Sequence, residues 1–321
     1  MNPVAKRVLA VALWTVVVGS AGWSATRVFG WESGWPWVQL MAFTPYVAAG
    51  SVVVAVVALA TRRWVAGAVA VVAAAALCAV VAPRAIPDGG RTANGPVLRV
   101  LSSNLLAGSG DERQVLELVR RLKVDVLALQ EFTPQDQAGL EAAGVTDVLP
   151  YAAFYPQDGV VGSAVLSRYP ITEKSVRVHR GGFTQAQATV DVPGAGRVLV
   201  ESVHPTAPSD RNRMDYWERD LRDQPGATVD GPLRVLAGDF NATLDHAALR
   251  RLIDTGYRDA AATVGSGFRT TWPYDEKWYI PGTTLDRVLA DRRIGVRSAR
   301  PYRVKGSDHK AFYAELVLPR A

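Results

Sequence analysis

The 321-residue sequence predicts an α/β domain of two β-sheets packed face to face with helices outside, preceded by three membrane-crossing helices. Three observations predict it. Long charge-free apolar stretches are confined to the first 83 residues. From residue 97 onward, many short β-like segments alternate irregularly with a few helical ones. Several of those strands end in an acid, an amide or an imidazole.

The apolar stretches are Val8–Thr26, a second within the uncharged run Ser33–Thr61 with its core from about Val38, and Trp64–Pro83. Each is close to the roughly 20 residues that cross a bilayer. Helices are expected at about 8–28, 38–61 and 64–83, making 1–83 a membrane anchor. Trp31, Trp35, Trp37 and Trp64 sit at the edges, as interfacial aromatics do. The short Arg62-Arg63 break forces an antiparallel pair. Lys6 and Arg7 ahead of the first helix and Arg62-Arg63 after the second place both ends in the cytoplasm. The chain from residue 84 on is then extracytoplasmic, in a multi-pass protein of the cell membrane. The alternative for 1–25 is a cleavable leader cut near Ser20-Ala21-Gly22, which leaves two crossings. The spans hold no charged residue, which argues against a transport pathway. Cys78 is the single cysteine, so intrachain disulfides and thiolate metal sites are excluded. Residues 84–96, ending "PDGGRTANGP", have linker composition.

The formal charge of +6 and pI near 9.5 invite a nucleic-acid partner, but the charge is unevenly placed. Seven basic and two acidic residues precede residue 97, a net of +5; the remaining 29 basic and 28 acidic residues leave 97–321 at +1. The pI is therefore no argument for DNA binding. One local excess remains: Arg287, Arg292, Arg293, Arg297, Arg300, Arg303, Lys305 and Lys310 against Asp291 and Asp308. It reads as a solvated face, or as a surface for a phosphate-bearing substrate or an anionic membrane.

Strands are expected at 97–104, 125–131, 149–155, 160–167, 172–179, 184–192, 197–203, 233–239, 284–290 and 312–318. Helices are expected at 111–122, where Val115, Leu118, Val119 and Leu122 form one face, and at 134–143, 209–223 and 245–254. "VLSSN" ends at Asn104, "VLALQE" at Glu131 and "VLVESVH" at His204. "VLAGDFN" ends at Asp239 and Asn241, which share a strand face around an inward Phe240, with Gly238 giving room beside a substrate. "TTLDRVLA" carries Asp286, and "VKGSDHKAF" carries Asp308 and His309. Burying any one of these unpaired costs a few kcal/mol, so six such places suggest one shared site.

Glu131, Asn104 and Asp308 offer oxygen ligands for a hard cation, and Mg2+ favours one or two carboxylates plus waters and phosphate oxygens; Mn2+ and Ca2+ are alternatives. His204 and His309 suit acid–base work or transition-state stabilisation, with Asp286 fixing the tautomer of His309. Asp239 could hold a water and Asn241 could donate to a phosphate oxygen. Such a set suits metal-assisted hydrolysis of a phosphate ester.

The ordered set "SSNLL", "LALQE", "SVHP", "AGDFN", "TLDRVL" and "GSDH", with "GSAVLSRYPI" at 162–171, resembles the endonuclease/exonuclease/phosphatase superfamily, the DNase-I-like fold, over essentially all of 97–321. The resemblance implies a four-layered α/β sandwich of two mixed sheets with the site at the strand ends. It implies a metal centred on Glu131 with Asn104 and Asp308. It also implies His204 and His309 as catalytic imidazoles, Asp286 as partner of His309, and Asp239 with Asn241 at the water and the phosphate. Two departures stand out. Ser202-Val203 replaces the Asn-Thr that many nucleases of the family carry, and no aromatic precedes Asn104.

Other polar residues have plainer readings. His179 is expected on the surface beside Arg180-Gly181, Asp245 as a helix N-cap and His246 as exposed. The aromatic loop 271–279 reads as a lid, a membrane contact or packing at a sheet edge, and Arg211 or Arg213 as a phosphate contact. The expectation is a membrane-tethered, metal-dependent phosphoester hydrolase acting outside the cytoplasm on nucleic acid, or on a lipid or cell-envelope phosphoester. A non-catalytic phosphate-ligand binding module is the rival from another class. Oligomeric state leaves no mark in the sequence.

Overall fold

The computed structural model describes residues 2–89, 93–274 and 279–321. The chain divides into two compact units, Met1–Pro83 with Leu244–Ala247, and Arg84–Thr243 with Ala248–Ala321.

The first unit is built from α1 (Pro3–Phe29), α2 (Trp37–Met41), α3 (Thr44–Ala60) and α4 (Trp64–Val81). The Asn2 side chain caps α1 by accepting from the Val4 N–H, and Gly30 ends it in the left-handed region. Two helices, Pro3–Phe29 and Trp64–Ala85, are long and apolar enough to cross a membrane. The expected span 38–61 is divided instead. Pro45 lacks an N–H, and its ring would clash with the carbonyl of residue 41, where α2 stops. The 17 residues of α3 rise only about 25 Å, short of a hydrocarbon core of about 30 Å.

Leu244–Ala247 belongs to this unit, and it corrects two expectations. Asp245 stands two residues ahead of α8, which starts at Ala247 rather than at 245, and Arg27 Nε donates to its Oδ1 at 2.8 Å with both side chains buried. His246 is not exposed, because its Nε2 lies 2.8 Å from the carbonyl of Val38. The buried Arg27 guanidinium needs an anion, and Asp245 supplies it.

The second unit opens with β1 (Val97–Asn104), α5 (Glu112–Leu122), β2 (Val126–Gln130), α6 (Pro134–Ala142), β3 (Tyr151–Tyr155) and β4 (Ser163–Ser167). It continues through β5 (Ile171–Val178), β6 (Thr184–Val192), β7 (Gly196–Val203), α7 (Met214–Arg222) and β8 (Leu233–Asp239). It closes with α8 (Ala247–Asp254, its first residue counted with the other unit), β9 (Tyr257–Asp259), α9 (Ala260–Thr263), β10 (Asp286–Asp291), β11 (Gly295–Tyr302) and β12 (Ala311–Val317). One sheet has the order β11-β12-β1-β2-β4-β3 and the other β5-β6-β7-β8-β10-β9. Each is mixed, with the parallel pairs β1–β2 and β7–β8 among antiparallel neighbours. The expected α/β sandwich of two packed mixed sheets with surrounding helices is the fold observed.

Side-chain alternation explains both the core and the site. Leu98 and Val100, Val126 and Ala128, Val198 and Val200, Val235 and Ala237, Val288 and Ala290 are all buried in the core between the sheets. The opposite face of the first sheet, with Leu101, Leu127, Leu129 and Tyr313, packs on Val115, Leu118 and Val119 of α5. Continued by two, the inner series reaches Ser102 and Asn104, Ser202 and His204, Asp239, and, backwards, Asp286. The inter-sheet layer thus turns polar toward one end: Ser102 Oγ donates to Gln130 Oε1 at 3.1 Å, and Gln130 Nε2 to Ser202 Oγ at 2.8 Å.

The expected linker 84–96 is partly structured, while its residues 90–92 lie outside the described residues. Asp88 N donates to Thr263 O at 3.1 Å, and Gly267 N to Arg84 O at 3.0 Å, so 84–88 is tied to the sandwich. Three of the eight residues of the expected basic face at 287–310 are spent on internal ion pairs. Arg287 is fully buried against Asp259 at 2.6 Å, Arg293 pairs with Asp291 at 2.6 Å, and Arg297 with Glu315 at 3.0 Å.

Candidate active site

The polar ends of the inner face meet around Asp239, which is buried at the tip of β8. Its Oδ2 accepts from Asn104 Nδ2 at 3.3 Å and lies 3.6 Å from His309 Nε2 and 3.8 Å from His204 Nε2. Asn104 Nδ2 also donates to Glu131 Oε1 at 3.0 Å, and His204 Nε2 is 3.8 Å from the same oxygen. His309 Nδ1 lies 2.9 Å from Asp286 Oδ2. Six expected residues, Asn104, Glu131, His204, Asp239, Asp286 and His309, therefore form one cluster.

Asp308 joins the rim of this cluster, and Asn241 is placed differently. Asp308 Oδ1 is 3.8 Å from His309 Nε2, while its Oδ2 accepts from Trp272 Nε1 at 3.0 Å. Asn241 does not share a strand face with Asp239, because β8 ends at Asp239 and Asn241 turns to φ 47°. Its N–H closes on Asp239 Oδ1 at 2.8 Å and its Nδ2 donates to Pro205 O at 3.0 Å, so it ties the β8 tip to the segment after β7. Glu131 holds φ 55°, so the one residue that leaves the β2 alternation also has a strained backbone. Gly238 makes room for a neighbouring strand rather than a substrate, since a Cβ there would stand 2.0 Å from the carbonyl of Val203. Phe240 is buried as expected. Of the arginines expected at the phosphate, Arg211 and Arg213 are exposed, and Arg213 pairs with Asp210 at 3.6 Å. Residues 275–278 of the aromatic loop lie outside the described residues.

Sequence reading missed the supports. Ser307 Oγ donates to Asn104 O at 2.8 Å and receives the His309 N–H at 3.0 Å, joining two strand ends. Thr271 Oγ1 takes the N–H groups of Leu285 and Asp286, each at 3.0 Å. The Phe183 ring stands edge-on to His204 at 4.9 Å. The one available signal was hydroxyl residues next to the motifs, which is too common to read alone.

The electrostatics divide the site. Burial pushes Glu131 up to about 7, with the Asn104 bond opposing and the Asp239 charge adding to the rise. Burial also raises Asp239, against the pull of His309. Burial drives His204 down to about 4, despite Asp239. For His309, burial is outweighed by Asp286 and Asp239, which lift it to about 10. Burial thus disfavours the charged form of both carboxylates, even with His309 beside them. Glu131 Oε2 is buried with no hydrogen-bond partner among the described residues. A divalent cation fits that oxygen and its carboxylate surroundings. Asp239, Asp286 and His309 also bring ligand atoms within 4.8 Å of one another. Since His309 and Asp286 already bond to each other, Glu131 beside Asp239 is the better metal position.

The two-sheet sandwich thus gathers three carboxylates, an amide and two imidazoles at its strand ends. The model of the Endonuclease/Exonuclease/phosphatase family matches residues 101–309, and the chain belongs to that family. The family is one of phosphoester hydrolases that generally use divalent metal ions. Similar solved structures include an endonuclease/exonuclease/phosphatase from Beutenbergia cavernae, 21% identical, with a TM-score of 0.53 and covering 70% of this chain and 72% of that one. A family protein from Leptotrichia buccalis is 15% identical, with a TM-score of 0.56 and coverage of 68% and 99%. D. rerio TDP2 complexed with single strand DNA product is 17% identical, with a TM-score of 0.54 and coverage of 68% and 98%. No curated protein matches.

Proposed function

We propose that this chain is a membrane-tethered, Mg2+-dependent phosphoester hydrolase whose catalytic domain acts outside the cytoplasm. The observation that carries the hydrolytic reading is the convergence of Asn104, Glu131 and both imidazoles on Asp239. Glu131 would hold the cation with Asp239 beside it, and Asn104 keeps the two carboxylates in place. Asp308 is the further candidate ligand. The bound cation supplies Lewis-acid polarisation of a phosphoryl oxygen. Asp239 orients the attacking water and accepts its proton. His309, held as an imidazolium by Asp286, donates to a phosphoryl oxygen as negative charge develops there. His204, neutral at pH 7, donates a hydrogen bond from Nε2 to the same group. Asn241 sets the approach to the phosphate through its grip on Pro205.

Within this reading a lipid or cell-envelope phosphoester is the favoured substrate. The tether is supported by two helices of sufficient length and apolarity, and by the basic residues around them. Against nucleic acid, 97–321 is nearly neutral overall, and Arg287, Arg293 and Arg297, three of the eight basic residues in 287–310, are spent on carboxylates. The DNA product in the D. rerio TDP2 structure is what keeps nucleic acid as the second reading. The test is a substrate panel on the full chain in detergent with Mg2+, covering DNA, RNA, phospholipid headgroup esters and sugar phosphates. Hydrolysis of the lipid esters above nucleic acid is expected. Preference for DNA or RNA would overturn the substrate reading, and turnover of none of them would overturn the enzyme reading. A reporter fused after residue 95 that is active only in the cytoplasm would overturn the topology.

A further inference from the structure

Behind His204 lies a buried polar network that the hydrolytic roles leave unused. Its centre is His179, just past β5 and 7% exposed, not on the surface as the sequence suggested. Its Nδ1 is 3.2 Å from Asp220 Oδ1, and its Nε2 is 2.8 Å from Gln185 Oε1. The orientation of the Gln185 amide is fixed by other partners. Its Nε2 donates to Glu201 Oε1 at 2.7 Å, a carboxylate that only accepts, and its Oε1 receives the backbone N–H of His204 at 3.2 Å. Gln224 pairs with both ends of the same amide at 3.0 Å. Each ring nitrogen of His179 therefore faces an acceptor, and a ring that serves both carries two N–H groups.

The two acceptors also hold the chain at His204. Gln185 takes the His204 N–H, and Asp220 Oδ2 takes the Thr206 N–H at 2.9 Å. Between them Pro205 O receives Asn241 Nδ2. Helix α7, which carries Asp220, adds Trp217, whose Nε1 donates to Asn241 O at 3.0 Å. The charged and titratable groups around His179 include Asp220 from α7, Arg177 from β5, His204 from the end of β7 and, through Gln185 and Arg177, Glu201 of β7. Burial and Arg177 oppose its charge, while Asp220 and the Gln185 bond prevail and raise it; Asp220 is correspondingly lowered.

We propose that His179 is a buried imidazolium that positions His204: by bridging Asp220 and Gln185 it fixes the acceptors that grip the His204–Thr206 backbone, and so the direction in which His204 faces the phosphate. The proposal rests on the hydrolase reading for the role of His204, whereas the charge and the grip can be read without turnover. The full chain is 15N-labelled at its four histidines in detergent and followed by NMR. The expected result at pH 7 is a His179 ring with both nitrogens protonated. In Asp220→Asn that ring becomes singly protonated and the His204 signal moves. Should His179→Gln fail to fold, assignment proceeds by elimination through His204→Gln, His246→Gln and His309→Gln. A bare nitrogen on His179 at pH 7, or a His204 signal unmoved in Asp220→Asn, would overturn the proposal. With bis(p-nitrophenyl) phosphate and Mg2+, Asp220→Asn is expected to lose kcat on the order of tenfold or more through misalignment. KM should stay within about twofold and the Mg2+ requirement should not change. Wild-type kcat in Asp220→Asn would also overturn it. Absence of turnover in the parent chain would sink the hydrolase reading while the ring signals still decide the network.

Discussion

The two imidazoles that face Asp239 sit at the same buried site in opposite settings. His309 has Asp286 behind its Nδ1 at 2.9 Å and is lifted to about 10. His204 has no hydrogen-bond partner on Nδ1 among the described residues, and burial takes it down to about 4. For His204 burial prevails over the nearby Asp239 charge, whereas for His309 Asp286 added to Asp239 reverses the outcome. A fixed positive donor and a neutral one then stand either side of a carboxylate, an arrangement that two identical histidine environments could not give.

Removing the charged side is expected to have the largest effect. His309→Ala should lower kcat by about 10²- to 10⁴-fold in a hydrolysis assay with Mg2+. Asp286→Asn keeps the ring and removes the charge behind it, and should cost about 10- to 100-fold in kcat. In the same variant the titration of His309, followed by NMR, should fall from about 10 toward its ordinary 6.5.

Stability against pH sharpens the contrast. His309 is raised on folding, so its stabilisation is complete below about 6.5 and is lost as pH rises through about 10. The stability gap between the parent chain and Asp286→Asn, measured by denaturant titration, should therefore close as pH approaches 10. His204 is lowered on folding, so the unfolded chain binds its proton first and stability falls as pH drops from 6.5 toward 4. His204→Gln should blunt that acid sensitivity, the smallest of these effects. An unchanged acid slope would contradict the lowered, neutral state of His204.

Much of this site was legible because strand alternation carries it. Asn104, His204, Asp239 and Asp286 lie on the inner parity of strands whose core residues the sequence already showed. Glu131 and Asn241 break that parity through positive φ, which no residue pattern announces. The supports were harder. His179 stands beside Arg180-Gly181 and reads as a turn, and its partner Asp220 lies on a helix far along the chain. Arg287 looked like part of a basic face because alternation cannot say which charges find buried partners such as Asp259. Strand β11 was missed because Arg297, Arg300 and Pro301 are poor strand signals, yet an edge strand tolerates them. The break between α2 and α3 was missed because hydropathy averages over Pro45.

Glu131 offers the most direct test, because it is the residue on which metal, charge and catalysis meet. Its carboxyl is raised from 4.5 to about 7, so the metal-free protein loses stability as pH climbs through that window. Glu131→Gln should therefore melt a few degrees higher than the parent at pH 8 without metal. The decisive measurement is hydrolysis of bis(p-nitrophenyl) phosphate by the full chain and by Glu131→Gln across a Mg2+ titration. Turnover in the parent that EDTA abolishes and Mg2+ restores is expected, with a loss on the order of 10³-fold in Glu131→Gln at every Mg2+ concentration. Equal rates in the two proteins, or parent activity indifferent to EDTA, would contradict the metal role of Glu131.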